Sequence, residues 1–142
     1  MELRAIVYVS ASVELMQADA LEALLLQARA LNLESGVTGV LLHADGQFMQ
    51  YFEGSPAAVQ LTYDRIRSSR RHTRIIEMLD TPIAAREFSE WSMGLAQPTL
   101  SELTALSTAE WVVNNSRAIA RGKPLIGMAL LRDFWSRQRY RG

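Results

Sequence analysis

The first apolar run of the chain has the composition of a β-strand. Residues 3–9 are rich in β-branched and apolar side chains, as expected of a strand that is covered on both faces. Successive side chains of a strand point to opposite faces, so Ile6, Tyr8 and Ser10 share one face. Tyr8 is therefore a polar residue on an otherwise apolar surface, and its hydroxyl needs a partner.

A second polar residue of this kind follows from the predicted hairpin. Two apolar runs, residues 37–43 and 47–52, flank an Asp45-Gly46 pair, which is a strong signal for a tight β-turn. In the returning strand Gln50 lies between two phenylalanines on one face. An unpaired buried polar group costs roughly 1–3 kcal/mol, so this carboxamide serves either the fold or a ligand.

The remaining pattern alternates helices and strands. Leucines at helical spacing predict an amphipathic helix over 17–33, which the next glycine ends, and a second helix over 55–68 that starts with a proline. Apolar runs predict a fourth strand over 75–79, ended by the Thr-Pro pair at 81–82, and a short fifth over 91–96.

The order β-α-β-β-α-β-β, with both helices as crossovers, favours an α+β ferredoxin-like sandwich. Right-handed crossovers place both helices on one face of the sheet. The other face is also apolar, and we expect two C-terminal helices, over 100–120 and 124–138, to cover it. A length of 142 residues fits one domain.

Composition excludes several classes of function. The chain has zero net charge, so no global field recruits nucleic acid or an acidic membrane, and no apolar run spans a bilayer, so we expect a cytoplasmic protein. The basic tail 132–141 is the local exception and is typical of a solvated helix end. There is no cysteine, and His43 and His72 lack metal-ligand spacing, so no metal site is expected. Neither a nucleophile elbow nor a glycine-rich phosphate loop is present, although counting residues does not exclude a Ser-His-Asp arrangement.

Five polar residues converge in the predicted fold. Tyr8 and Gln50 face the two crossover helices, Asn32 lies near the end of the first helix, and Arg71 and His72 follow the second. Singly, each has an ordinary explanation as a core hydrogen-bonding group, a helix cap or a solvated helix end. Together they suit a planar ligand with carbonyls and ring nitrogens, whose phosphate would meet the cations.

The chain resembles the BLUF family of blue-light sensors that use FAD. Five segments occur in that family's order and spacing: IVYVS at 6–10, GVTGVLL at 36–42, DGQFMQYFEG at 45–54, RH at 71–72 and FSEWSMG at 88–94. The resemblance implies a flavin-binding core over residues 1–97. Residues 98–142 would be a helical extension within the same domain.

The resemblance also implies a role for each matching residue. Tyr8 would donate an electron and a proton to a photoexcited, non-covalently bound FAD, and Gln50 would bridge Tyr8 and the flavin and rearrange on illumination. Asn32 would hold the polar edge of the ring, while Arg71 and His72 would lie near the phosphates or the ribityl chain.

Trp91 and Met93 would be the pair that relays the state of the glutamine. Two departures from the family pattern concern the ligand contacts: Ser69 replaces a frequent aspartate before the Arg-His pair, and Leu31 replaces a polar residue before the asparagine.

Output would pass to another protein, because the remaining residues leave no room for an enzymatic domain. By resemblance, that partner is an EAL-type cyclic-di-GMP phosphodiesterase or a response-regulator-like protein, and neither nucleic acid nor membrane is expected. We expect self-association, since Trp111, Phe134 and Trp135 exceed what a small helical cover needs. Two alternatives stay open, an acylphosphatase-like hydrolase using Arg71 and Asn32, and a flavin carrier without photochemistry.

Overall fold

A computed structural model describes residues 2–12, 18–68, 72–109, 111 and 126–139. They form one five-stranded sheet, in the order β4-β1-β3-β2-β5, and four helices. In chain order the elements are β1 Leu3–Ser12, α1 Ala18–Ser35, β2 Thr38–Ala44, β3 Gln47–Gly54, α2 Pro56–Ser68, β4 His72–Ile83, β5 Gly94–Ala96, α3 Leu100–Ser107 and α4 Ile126–Arg139. The predicted ferredoxin-like order of elements is confirmed.

Strand register places the two polar residues of interest side by side. β1 is antiparallel to β3 and β4, with Tyr8 directly opposite Gln50, and β5 joins β2 in parallel. The β2–β3 turn has positive φ at Asp45 (47°) and Gly46 (76°), as a type I′ hairpin requires. α1 ends before Gly36, whose φ of 76° favours a residue without a Cβ.

The face of the sheet under α1 and α2 carries two separate buried clusters. The cluster under α2 comprises Ile6, Tyr8, Val37, Phe52, Val59 and Tyr63. The cluster under α1 comprises Leu21, Leu25, Leu41, Phe48 and Met93. Each helix thus buries one face against the sheet, and Tyr8 and Met93 belong to different clusters.

The opposite face of the sheet carries one continuous cluster. It joins sheet residues to the C-terminal helices and includes Val7, Met49, Tyr51, Leu103, Trp111, Leu131, Phe134 and Trp135. The prediction that two C-terminal helices cover this face is confirmed. The three aromatic residues behind the expected self-association are buried in the chain's own core, so they do not support it, and self-association stays a prediction.

Three predicted element boundaries differ from the structure. β4 continues through Pro82, which the strand tolerates because β4 is an edge of the sheet. β5 begins only at Gly94, so Trp91 and Met93 precede the strand. α3 ends at Ser107 instead of continuing to 120, and the Trp111 indole then donates to the Leu106 carbonyl at 2.9 Å. Residues 112–125 lie outside the described part.

Within the described residues, no helix has the length and apolar character needed to cross a bilayer.

Candidate functional site

Tyr8 lies in the middle of β1 with no solvent exposure. Its ring packs against Phe52 and Tyr63, both with centroids 6.2 Å away. Burial raises the pKa of the phenol well above its ordinary value, so the hydroxyl keeps its proton. That hydroxyl donates to Oε1 of Gln50.

Gln50 connects the two clusters under the helices. Its Oε1 accepts from Tyr8 in one cluster, and its Nε2 donates to the thioether sulfur of Met93 in the other at 3.5 Å. Sulfur is a weak acceptor, so the second bond is easily exchanged for a better one. A carboxamide presents a donor and an acceptor, so turning it over would place the donor towards Tyr8 and the acceptor towards Met93, at the boundary between the two clusters.

Trp91 and Met93 lie on opposite sides of the segment that leads into β5. Met93 is buried beside Gln50 under α1. Trp91 packs on the other side, edge to face with Trp135 of α4 at 5.5 Å. The sequence pattern does not predict this orientation, since both residues are large and apolar.

Two side chains of α1 hold this segment in place. The amide Nδ2 of Asn32 donates to the Ser92 carbonyl at 2.7 Å, and Nε of Arg29 donates to the Met93 carbonyl at 2.8 Å. Asn32 is buried and lies three residues before the end of the helix. Arg29, which the sequence pattern does not single out, thus contacts the same segment as the predicted Asn32.

The residues predicted to bind the phosphates of the ligand are not among those that the structure describes. Arg71 and Ser69 lie outside the described residues, as does the side chain of His72, whose backbone starts β4. Their roles therefore stay predictions.

The orientation of α2 shows which of its residues face α1. Gln60 accepts from Arg4 of β1 at 2.8 Å, and Tyr63 is hydrogen-bonded to Glu77 of β4. Burial, and then the nearby Glu77 carboxylate, raise the pKa of Tyr63 to about 12. The flank that carries Gln60 and Tyr63 thus faces β4, and the opposite flank faces α1.

Thr62 and Arg65 lie on that opposite flank, three residues apart and one above the other. Among the described residues, the Thr62 hydroxyl is one of three buried polar side-chain groups without a partner. His43 Nε2 is another, and parity with Leu41 puts it on the same face of the sheet. Two of the three groups thus lie on the face under α1 and α2, whereas the third, Trp135 Nε1, lies on the opposite face.

Comparisons with known proteins point to one family. A family model described as "BLUF: Sensors of blue-light using FAD" matches residues 3–94. The photoactivated adenylate cyclase subunit beta of Euglena gracilis is 35% identical over 92 residues, which are 64% of this chain and 11% of that protein. The chain thus spans about a tenth of the length of this curated relative.

Solved structures of proteins from the same family are also similar to this chain. "BlrB - a BLUF protein, dark state structure" superposes with a TM-score of 0.66 and 31% identity, covering 75% of this chain and 79% of that one. "Klebsiella pneumoniae BlrP1 with FMN and cyclic diGMP, no metal ions" has a TM-score of 0.62 and 29% identity, covering 76% of this chain and 27% of that one.

Proposed function

This chain belongs to the BLUF family, and we propose that it is a blue-light photoreceptor with a non-covalently bound flavin between α1 and α2. The observation that carries the proposal is the position of Gln50. It is hydrogen-bonded to a buried phenol on one side and to a weak sulfur acceptor on the other. A group held in this way can change partners without disturbing the core.

The flavin, when bound, supplies blue-light absorption and electron acceptance. Tyr8 is the proposed electron and proton donor, since its hydroxyl proton already points at Oε1 of Gln50. Gln50 then rotates or tautomerises, so that the atom facing Tyr8 becomes a donor. Met93 changes partner at the same moment, because Nε2 is its hydrogen-bond donor. Tyr8, Gln50 and Asn32 would thus surround the ring, and Met93 and Trp91 would relay the change.

We propose FAD rather than FMN as the cofactor, as in the description of the family model. Arg71 and His72 would contact its phosphates or ribityl chain, and Arg65 lies on the flank of α2 opposite to Gln60 and Tyr63. Extraction of the purified protein and mass spectrometry of the released flavin test the choice. Recovery of FMN alone, after expression with both flavins available, would contradict it.

A blue-light difference spectrum tests the photoreceptor function. The wild type should be yellow and show a small, reversible red shift, and Tyr8→Phe and Gln50→Leu should each abolish that shift. Tyr63→Phe is the matched control, because it removes a phenol that packs beside Tyr8 and is hydrogen-bonded to Glu77. A colourless protein that cannot be reconstituted with flavin would exclude the proposal.

The two alternatives make different predictions. A flavin carrier would bind flavin without the reversible shift. A hydrolase would turn over an acyl phosphate without bound flavin. Family membership also favours the sensor.

The proposed output is a separate effector protein, either an EAL-type cyclic-di-GMP phosphodiesterase or a response-regulator-like protein. Support comes from similar proteins, since one is described as an adenylate cyclase subunit and another as a complex with cyclic diGMP. Co-purification from dark and illuminated cells tests this. A partner retained in only one state identifies the effector, and equal recovery in both states would contradict light-dependent signalling by binding.

A further inference from the structure

Glu53 is a buried carboxylate at the end of β3, on the face opposite to the proposed flavin site. It has no solvent exposure, and its two oxygens accept four hydrogen bonds. Oε1 accepts from the Tyr51 hydroxyl at 2.8 Å and the Glu87 amide at 2.7 Å. Oε2 accepts from the Thr38 hydroxyl at 2.7 Å and the Phe88 amide at 2.9 Å.

The two backbone amides begin the segment that carries Trp91 and Met93. This segment, residues 87–94, is pressed against Trp135 of α4 at three points. The rings of Phe88 and Trp91 meet Trp135 edge to face at 6.1 and 5.5 Å. At Gly94 the approach is so close that an added Cβ would lie 2.6 Å from the Trp135 ring. A movement of this segment would therefore change the packing around Trp135.

The segment is held differently at its two ends. At its start, a buried carboxylate binds two consecutive amides, and such charge-assisted hydrogen bonds are about twice as strong as neutral ones. The Glu87 side chain adds an ion pair to Arg132 of α4 at 2.9 Å. At its other end the backbone is held as well, by Asn32 and Arg29 of α1, whereas the Met93 side chain contacts Gln50 through a single weak bond to sulfur. A disturbance at Gln50 thus acts on a weakly bound side chain in a segment whose backbone is anchored at both ends.

We propose that Glu53 is a positioning residue for signal output, an inference that rests on the proposed photoreceptor function. Its carboxylate fixes Glu87 and Phe88 as a pivot. When Gln50 rearranges, Trp91 and Met93 then move relative to Trp135. Without this fixed point, the whole segment could shift as a unit and leave those contacts unchanged.

A single isosteric change tests this role. Glu53→Gln keeps the size of the side chain but replaces one acceptor oxygen with an NH2 donor. Hydroxyls of Thr38 and Tyr51 can rotate to accept from that donor, whereas a backbone amide cannot. In either orientation of the new carboxamide, one of the two loop amides loses its acceptor. Tyr51→Phe is the matched control, because it removes one donor to the same carboxylate and leaves both loop amides bound.

The three tryptophans provide the measurement. Full-length protein with bound flavin is labelled with 5-fluorotryptophan, and its ¹⁹F spectrum is recorded in the dark and under blue light. Trp111, which packs on Gly127, serves as the internal reference. We expect light to shift the Trp91 and Trp135 resonances in the wild type and in Tyr51→Phe. In Glu53→Gln that difference should fall by at least half, while the flavin red shift is retained.

The possible outcomes separate the inference from the proposed function. A wild type without a red shift counts against the photoreceptor, whereas a Glu53→Gln variant with both signals intact overturns only the pivot. If that variant fails to fold or to bind flavin, hydrogen exchange of the wild type decides. The Glu87 and Phe88 amides should stay protected in darkness and in light, and their release on illumination would overturn the pivot.

Discussion

The two faces of the sheet are both buried but organised differently. Among the described residues, the face under α3 and α4 has a single cluster of seventeen buried side chains, whereas the face under α1 and α2 has clusters of six and five. Gln50 spans the seam between the two smaller clusters. The continuous face has the organisation of a structural core, whereas the divided face holds a polar side chain between its two clusters.

The same strand supplies the key polar group to each face. On the divided face Gln50 has one weak sulfur partner, which allows it to rearrange. On the continuous face, Glu53 is surrounded by four donors and has no freedom to change partners. We infer that sensing needs a polar group whose hydrogen bonds are weak enough to rearrange. Readout of that change needs a second polar group whose hydrogen bonds stay fixed.

Removing bulk from the continuous face should have the largest effect on stability. Leu131→Ala in α4 would leave a cavity at a fully buried position and should lower the free energy of unfolding by about 2–5 kcal/mol. Leu130→Ala, one position away and 41% exposed, is the matched control and should cost much less. Urea unfolding measures both. Equal losses would show that α4 is not docked on the sheet as described.

Crowding the contact between β5 and α4 should have the next largest effect. Gly94→Ala adds a Cβ that meets the Trp135 ring at 2.6 Å, so either β5 or α4 must shift, at about 1–3 kcal/mol. Tryptophan fluorescence and unfolding midpoints report the change. At Gly54 the nearest atom would be 3.3 Å away, so Gly54→Ala should perturb tryptophan fluorescence less. Identical spectra for Gly94→Ala and wild type would contradict the close packing of Trp135.

Weakening the start of α3 tests how much the helical cover depends on its own local structure. Thr99 and Glu102 form a reciprocal capping box, with both hydrogen bonds at 3.1 Å. Thr99→Ala should cost about 1 kcal/mol, and Thr99→Ser, which keeps the hydroxyl, should cost less. Thermal unfolding distinguishes them. Equal destabilisation by the two variants would mean that the methyl group, and not the cap, matters.

The sequence predicts the parts of the fold that depend on local chemistry. Asp45-Gly46 specifies its turn, and strand parity places Tyr8 and Gln50 on one face, because both follow from backbone geometry alone. The inward position of Met93 and the outward position of Trp91 depend on contacts with Gln50 and Trp135, which are distant in sequence. The sequence does not predict the position of Glu53 for the same reason, since its donors Glu87 and Phe88 come from a loop more than thirty residues away.

The smallest effect should come from the ion pair at the outer edge of the divided face. Arg4 donates to both oxygens of Asp80 at 2.7 Å, and these hydrogen bonds hold the pKa of Asp80 below its ordinary value. A carboxyl with a lowered folded-state pKa adds stability above its unfolded pKa of about 3.9 and loses it as the pH falls through the folded value.

Asp80→Asn should therefore lower the free energy of unfolding by up to about 1 kcal/mol at pH 7, and the difference from wild type should shrink towards pH 3. Asp133→Asn in α4 is the comparison from the continuous face, because its pair with Arg137 is exposed and longer, at 3.3 Å. It should cost at most about 0.5 kcal/mol at pH 7. Urea unfolding at both pH values measures the two variants. A difference for Asp80→Asn that grows on acidification would contradict a lowered pKa, and with it the contribution of Arg4 to that edge.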